Sequence, residues 1–190
     1  RLLFMGNEFG QTTEWNYKTE LNWGLLEYEP HRGLQDCIRD LNRILKASPA
    51  LFCDQFHVHG FQWIDLNHRN ECVIVYRRRG PAPEDDLLVI LNLTPVVRWD
   101  WTIELSNIYY TKEIFNSDEK KYGGSGNVFN PEIRWEEIKP VEDENTKRAA
   151  AEKETATVTD IETDKSMAIP DDSKYKITVN LPPLAALILK

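Results

Sequence analysis

Cysteine is scarce in this 190-residue chain: Cys37, Cys53 and Cys72 are odd in number, widely spaced and never in a Cys-x-x-Cys arrangement. That excludes a disulfide framework and a structural zinc site, both of which need closely paired cysteines. It predicts reduced thiols acting as apolar filler in a cytoplasmic protein. Basic residues are also in deficit, 23 Lys and Arg against 31 Asp and Glu, a net charge of −8. A chain this acidic lacks the positive patch that nucleic acid or an anionic membrane surface demands. No apolar run approaches the ~20 residues of a membrane span, no signal peptide opens the chain, and no internal repeat is visible. What is present is a globular balance of 41% hydrophobic and 28% charged residues, with length for one or two domains. The start, Arg1-Leu2-Leu3-Phe4-Met5, lies inside an apolar run and predicts a piece of a longer chain.

Periodicity divides the chain. Leu2 to Met5 reads as a short strand, followed by a polar, aromatic loop. Pro30 to Lys46 reads as an amphipathic helix, with Leu34, Cys37, Ile38, Leu41, Ile44 and Leu45 forming one apolar stripe. Pro30 suits the first turn, where a missing N–H costs nothing, and Ser48-Pro49 ends the helix. From about Phe52 the period becomes 2. Strands are predicted at Cys72–Tyr76, Leu87–Leu93, Arg98–Leu105, Tyr109–Phe115, Lys176–Leu181 and Leu184–Leu189, divided by turn residues. The fold class is therefore mainly β, an antiparallel sandwich. Between Val141 and Lys174, ten acidic and five basic residues give −5 and low hydrophobicity, the pattern of a polar surface insertion.

Few residues offer chemistry of their own. Asp85-Asp86 and Asp171-Asp172 are adjacent, so in extended chain their side chains diverge, and they read as solvated loop charges. His57-Val58-His59 would place two imidazoles on one strand face, with no third ligand at useful spacing, so no metal is expected. His31 and His68 read as incidental. Gly123-Gly124-Ser125-Gly126 lacks the Lys-Ser/Thr of a phosphate loop and reads as a tight turn. Trp99, Trp101, Ile103 and Leu105 alternate onto one face, which is either sandwich core or, if outward, a stacking platform.

A family likeness runs through the chain. Phe4-Met5-Gly6-Asn7-Glu8-Phe9-Gly10-Gln11, Glu14-Trp15-Asn16, Leu21-Asn22-Trp23 and Arg32-Gly33-Leu34-Gln35 resemble the end of the catalytic barrel in 1,4-α-glucan (glycogen) branching enzymes of the α-amylase superfamily. Gly60-Phe61-Gln62-Trp63-Ile64-Asp65, Leu91-Asn92-Leu93-Thr94-Pro95, Asn116-Ser117-Asp118, Tyr122 to Gly126 and Leu181-Pro182-Pro183-Leu184 resemble their C-terminal all-β domain. Asn22 and Gly24 depart from the family, which usually carries an acidic residue and a histidine there. Debranching and trehalose-forming enzymes share the barrel end, but the Glu14-Trp15-Asn16 continuation favours branching.

The resemblance implies a division: residues 1–50 as the last strand, loop and helix of a (β/α)8 barrel, and 51–190 as the β-sandwich, with its insertion at about 141–174. It implies a parent enzyme that breaks α-1,4-glucan and transfers the chain to a 6-hydroxyl, making α-1,6 branches in glycogen biosynthesis without a cofactor. The reacting carboxylates would lie on earlier barrel strands, so the resemblance implies no catalytic residue here and no activity of this piece alone. Its partners would be the missing barrel and α-glucan or glycogen, with self-association through a face the barrel would cover. The alternative is a glucan-binding module. Candidate glucan contacts are Glu8, on the face where barrels build their sites, and Trp15, Trp99 and Trp101, whose indoles suit sugar C–H faces. For Glu8 the other reading is a loop-fixing acceptor, and for Trp15 and Trp23 a buried junction.

Overall fold

The computed structural model describes residues 3–106, 110–138 and 174–190. Among these residues, eight strands form two antiparallel sheets: β1 (Phe61–Asp65), β2 (Val73–Arg78), β3 (Leu87–Asn92), β4 (Arg98–Leu105), β5 (Glu113–Asn116), β6 (Arg134–Ile138), β7 (Lys174–Leu181) and β8 (Ala185–Leu189). The larger sheet runs β1-β2-β3-β8-β5 and the smaller β4-β7-β6. This is the expected sandwich. Its interior joins Val73, Val75, Leu88, Ile90, Leu187 and Leu189 of the larger sheet to Ile103, Leu105, Ile177, Val179 and Leu181 of the smaller. Alternation along each strand sends these residues inward and their neighbours out.

The α-helix among the described residues, α1 (Glu29–Ala47), starts a residue earlier and ends a residue later than its periodicity predicts, with Pro30 in the first turn. It lies on the outer face of the larger sheet. Cys37, Leu41 and Ile44 pack there against Leu87, Val89, Phe115 and Ile188. This explains the unbroken apolar run in β3: the strand is covered on one face by the smaller sheet and on the other by α1. Asn92 closes the far end, its Nδ2 donating to the carbonyls of Val96 (2.7 Å) and Pro182 (2.8 Å) and so tying two turns together.

Several expectations are corrected. Leu3–Met5 is not a strand: it runs into a turn, and pairs with no neighbour among the described residues. A strand needs a ladder partner for its backbone groups. Instead of alternating from Phe52, the chain makes short 3-10 turns at Pro49–Leu51 and Val58–Gly60 before β1. His57-Val58-His59 therefore forms no strand face. Strand β5 begins only at Glu113, with Tyr110 buried ahead of it, and Tyr109 lies outside the described residues. Strand β6 carries Arg134, Glu136 and Glu137 on an edge, a composition without an apolar period to announce it. Lys174 belongs to β7. The rest of the acidic insertion, and Asp171-Asp172, lie outside the described residues.

Asp86 is no solvated loop charge. It is 4% exposed and paired with Arg77, 7% exposed: Arg77 Nε donates to Asp86 Oδ2 at 2.6 Å, and the Gly80 N–H donates to Oδ1 at 2.8 Å. Two buried opposite charges compensate each other, where either alone would be costly. Cys37, on the sheet-facing side of α1, is half-buried, as filler should be, but Cys53 and Cys72 are exposed; all three are free thiols. Burial pushes the Cys37 thiol up, making it a poor nucleophile.

Candidate functional site

Glycine geometry shapes the first candidate region. Gly6 (φ +94°) and Gly10 (φ +68°) take the left-handed conformation on either side of a 3-10 turn, Asn7–Phe9. That turn buries Phe9, whose carbonyl accepts from His31 Nδ1 at 2.7 Å, so His31 anchors the loop to α1 rather than being incidental. Gln11 Oε1 accepts the Asn22 N–H at 3.0 Å and closes the loop on itself. Glu8, half-buried, lines a hollow of about 250 Å³ with Leu3, Gln35, Ile38, Arg39 and Asn42, on the flank of α1 beside the one resting on the sheet. Trp15 (42% exposed) meets Phe4 edge-on with ring centres 5.0 Å apart, and Trp23 (47% exposed) leans on Phe9 at 5.3 Å. The expected buried junction is therefore half open.

The tryptophans of β4 form the second region, in the other sheet. Arg98 pairs with Leu181 and Trp101 with Val179, so two residues, Trp99 and Asp100, stand opposite Asn180 alone. This is a β-bulge, with Asp100 in the left-handed region at φ +50°. The extra residue resets the alternation. Trp101 turns in against the core, its ring 4.5 Å from His68, while Trp99 is left 63% exposed. The two indoles do not share a face, and no paired platform exists. His68 also pairs with Asp65 (2.8 Å) and Glu71 (3.8 Å), a connection its lone position in a turn gave no means of seeing. Glu8 and Trp15 thus belong to the layer of α1, and Trp99 and Trp101 to the smaller sheet, with the larger sheet between. They cannot act on one ligand unit together.

A third region is the loop after β5. Asp118 holds the Gly123–Gly126 turn by accepting from Ser125 N (2.9 Å) and Ser125 Oγ (2.5 Å), while its carbonyl accepts from Gly126 N (2.7 Å). A cavity of about 430 Å³ opens beside it, lined by Glu113, Glu119, Lys120 and Phe129 among others. Burial pushes the Glu113 carboxyl up, opposed by the Asn130 amide, which donates to it at 2.7 Å. Glu113 accepts from Asn130 and Glu119 pairs with Lys121 (3.1 Å), contacts that tie β5 to the chain after it. Among the described residues, no three His, Cys, Asp or Glu gather as a metal site would require, and no helix is long and apolar enough to cross a membrane.

Comparison with known proteins agrees with this architecture. The family model for the alpha amylase, C-terminal all-beta domain matches residues 63–190. The chain is 41% identical over 130 residues, 68% of its length, to the 1,4-alpha-glucan branching enzyme GlgB of Shewanella frigidimarina (strain NCIMB 400). It is 42% identical over 126 residues to that of Aquifex aeolicus (strain VF5) and 46% over 125 residues to that of Prochlorococcus marinus (strain MIT 9515), 66% of the chain in each case. The matches cover 17%, 20% and 17% of those three enzymes, so the chain spans about a fifth of the length of the curated relatives it matches. An all-antiparallel two-sheet sandwich, a family match across both sheets and this level of identity lead to one conclusion: the chain belongs to the alpha amylase C-terminal all-beta domain family.

Proposed function

We propose that this chain is the C-terminal portion of a 1,4-α-glucan branching enzyme and that its role there is structural. The observation that carries the reading is the 41–46% identity to enzymes of that name over two thirds of the chain. The parent reaction cleaves an α-1,4 bond and rejoins the freed chain to a 6-hydroxyl, retaining chemistry in which one carboxylate attacks while a second protonates the leaving oxygen. Those carboxylates belong to the remaining four fifths of the enzyme. Residues 1–50 supply the closing loop and helix of the barrel, and residues 51–190 the sandwich that supports it. The flank of α1 bearing Gln35, Ile38 and Asn42 supports this, since it lines an open hollow rather than the sheet. The enzyme would work on glycogen in the cytoplasm, where free thiols persist.

The test is a chimera in which this chain replaces the matching segment of the Aquifex aeolicus enzyme. The chimera should branch amylose, seen as falling iodine absorbance, and the 190-residue chain alone should not. Activity of the chain alone, or a folded chimera without activity, would refute the assignment. A second reading, a glucan-binding role for the sandwich, is favoured by the exposure of Trp99.

A further inference from the structure

Strand β1 is an edge of the larger sheet and β4 an edge of the smaller, so where the two meet, side chains rather than a hydrogen-bond ladder join the sheets. The connection from β1 to β2, residues 66–72, lies at this junction, and both its ends are fixed. Asp65 Oδ1 accepts the Asn67 N–H at 2.9 Å, a side-chain turn leading out of β1. Cys72, at φ +50°, turns the chain into β2, and its carbonyl accepts the Leu93 N–H at 3.0 Å. Between these ends His68 reaches across to the other sheet. Its ring centre stands 4.5 Å from that of Trp101, which packs against the sandwich core.

Both ring nitrogens of His68 face carboxylates. Nε2 lies 2.8 Å from Asp65 Oδ2, at the end of β1, and Nδ1 lies 3.8 Å from Glu71 Oε2, in the connection itself. Arg98, at the start of β4, is the cation on the opposite side, and its Nη2 donates to the Glu71 carbonyl at 3.4 Å. A neutral imidazole carries one N–H and can donate to one of the two acids, whereas the imidazolium carries two and can serve both. The two contacts are unequal. Asp65, at hydrogen-bond distance, keeps its donor in the tautomer protonated on Nε2. Glu71 lies beyond that distance and is held by charge, so its hold goes with the proton. The His68 and Glu71 side chains are 36% and 38% exposed, open enough for the ring to exchange its proton with solvent. We propose that the connection is a proton-controlled clamp between the sheets: protonated His68 gathers Asp65 and Glu71 over Trp101, and neutral His68 keeps Asp65 and releases Glu71. Histidine changes charge between about pH 5 and 8, so the clamp closes toward the acid end of that range and opens toward the alkaline end. It rests on groups within this chain and not on the reading of the parent enzyme.

Nitrogen-15 relaxation of the 190-residue chain tests the clamp, because order parameters report motion of the backbone and not the charge itself. In the wild type the amides of residues 69–71 should be rigid at about pH 5, with order parameters of about 0.85, and should fall toward about 0.6 at about pH 8. Asn67, tied to Asp65, should stay rigid at both. Glu71→Gln should be loose at both pH values, and His68→Gln, which keeps a donor for Asp65 but carries no charge, should be loose at both as well. His57→Asn removes a histidine that pairs elsewhere, with Asp54, and should respond as the wild type does. Thermal melts establish that each variant is folded. Wild-type order parameters that match at the two pH values, or a fall that survives in folded Glu71→Gln or His68→Gln, would overturn the clamp. Either result leaves the chimera assay untouched, so failure of the clamp and failure of the branching-enzyme assignment read out separately.

Discussion

The phenol of Tyr122, in the loop after β5, donates to Asp40 on α1 at 2.7 Å, across 82 residues of chain. The same carboxylate oxygen lies 3.5 Å from Lys121 Nζ, and its partner oxygen accepts from Arg43 at 2.7 Å. Helix and sandwich are therefore joined by a directed polar contact as well as by the apolar seam of Cys37, Leu41 and Ile44.

This contact makes the helix attachment sensitive to pH at both ends. The Tyr122 phenol, then the Lys121 and Arg43 cations, hold the Asp40 carboxyl below its ordinary 3.8. Burial, then the Asp40 carboxylate, push the Tyr122 phenol from 10.0 up to about 12. The depressed Asp40 value contributes stability present above the ordinary carboxylate range and lost as pH falls through the folded value. The raised Tyr122 value contributes stability present below pH 10 and lost as pH rises toward about 12. Tyr122→Phe should cost about 1 kcal/mol at neutral pH. Urea titrations should show that difference flat between roughly pH 5 and 9 and shrinking on either side. A difference that does not vary with pH would show that the phenol's packing, not its hydrogen bond, matters.

Gly33, the one buried residue of α1, faces the same loop. A Cβ placed there would lie 2.7 Å from the Tyr122 carbonyl carbon and oxygen. Alanine for glycine inside a helix ordinarily gains about 1 kcal/mol. Here Gly33→Ala should instead destabilise by about 1–3 kcal/mol, because backbone rather than a yielding side chain must move. The measured sign decides the matter, and a gain in stability would show that α1 can lift off the loop without loss.

The Arg77–Asp86 pair should respond asymmetrically. Asp86→Ala strands a buried guanidinium and frees the Gly80 N–H, and should cost about 3–5 kcal/mol. Replacing both charges, Arg77→Met with Asp86→Leu, should recover most of that loss, since a well-packed apolar pair avoids the desolvation cost. Chemical denaturation of the three variants tests this, and a double variant as unstable as Asp86→Ala would contradict it.

Self-association should be governed by the segment between α1 and β1. Phe56 (92% exposed) and Val58 (81% exposed) stand open there, with Phe52 and Trp63 exposed nearby in sequence. Clustered apolar exposure of this kind promotes association. Sedimentation at rising concentration should show dimers or larger species, reduced in a Phe56→Ser, Val58→Ser double variant. A wild-type chain that stays monomeric throughout would remove the expectation.

Likeness, more than any single residue, carries the assignment to the alpha amylase C-terminal all-beta domain family. Nothing local in Glu8 or Trp15 separates a glucan contact from a loop anchor, because the distinction depends on what else reaches the same surface. Glu8 turned out to line the flank of α1, and Trp15 to stand half open against Phe4.

Periodicity alone determined α1, the shared face of Trp101, Ile103 and Leu105 in β4, and the two-sheet architecture, because a 3.6-residue or 2-residue repeat of apolar groups lines up along one side of its element. Turn chemistry likewise placed the Gly123–Gly126 turn, since its backbone conformations belong to glycine. What tertiary structure decided was whatever depended on a partner in another element. Asp86 is buried because the pairing of β2 with β3 sets Arg77 beside it. Trp99 points outward because Asn180 and Arg134 stabilise one extra residue in β4. A single inserted residue reverses the faces of a strand, and only the strand it pairs with can show where that insertion falls.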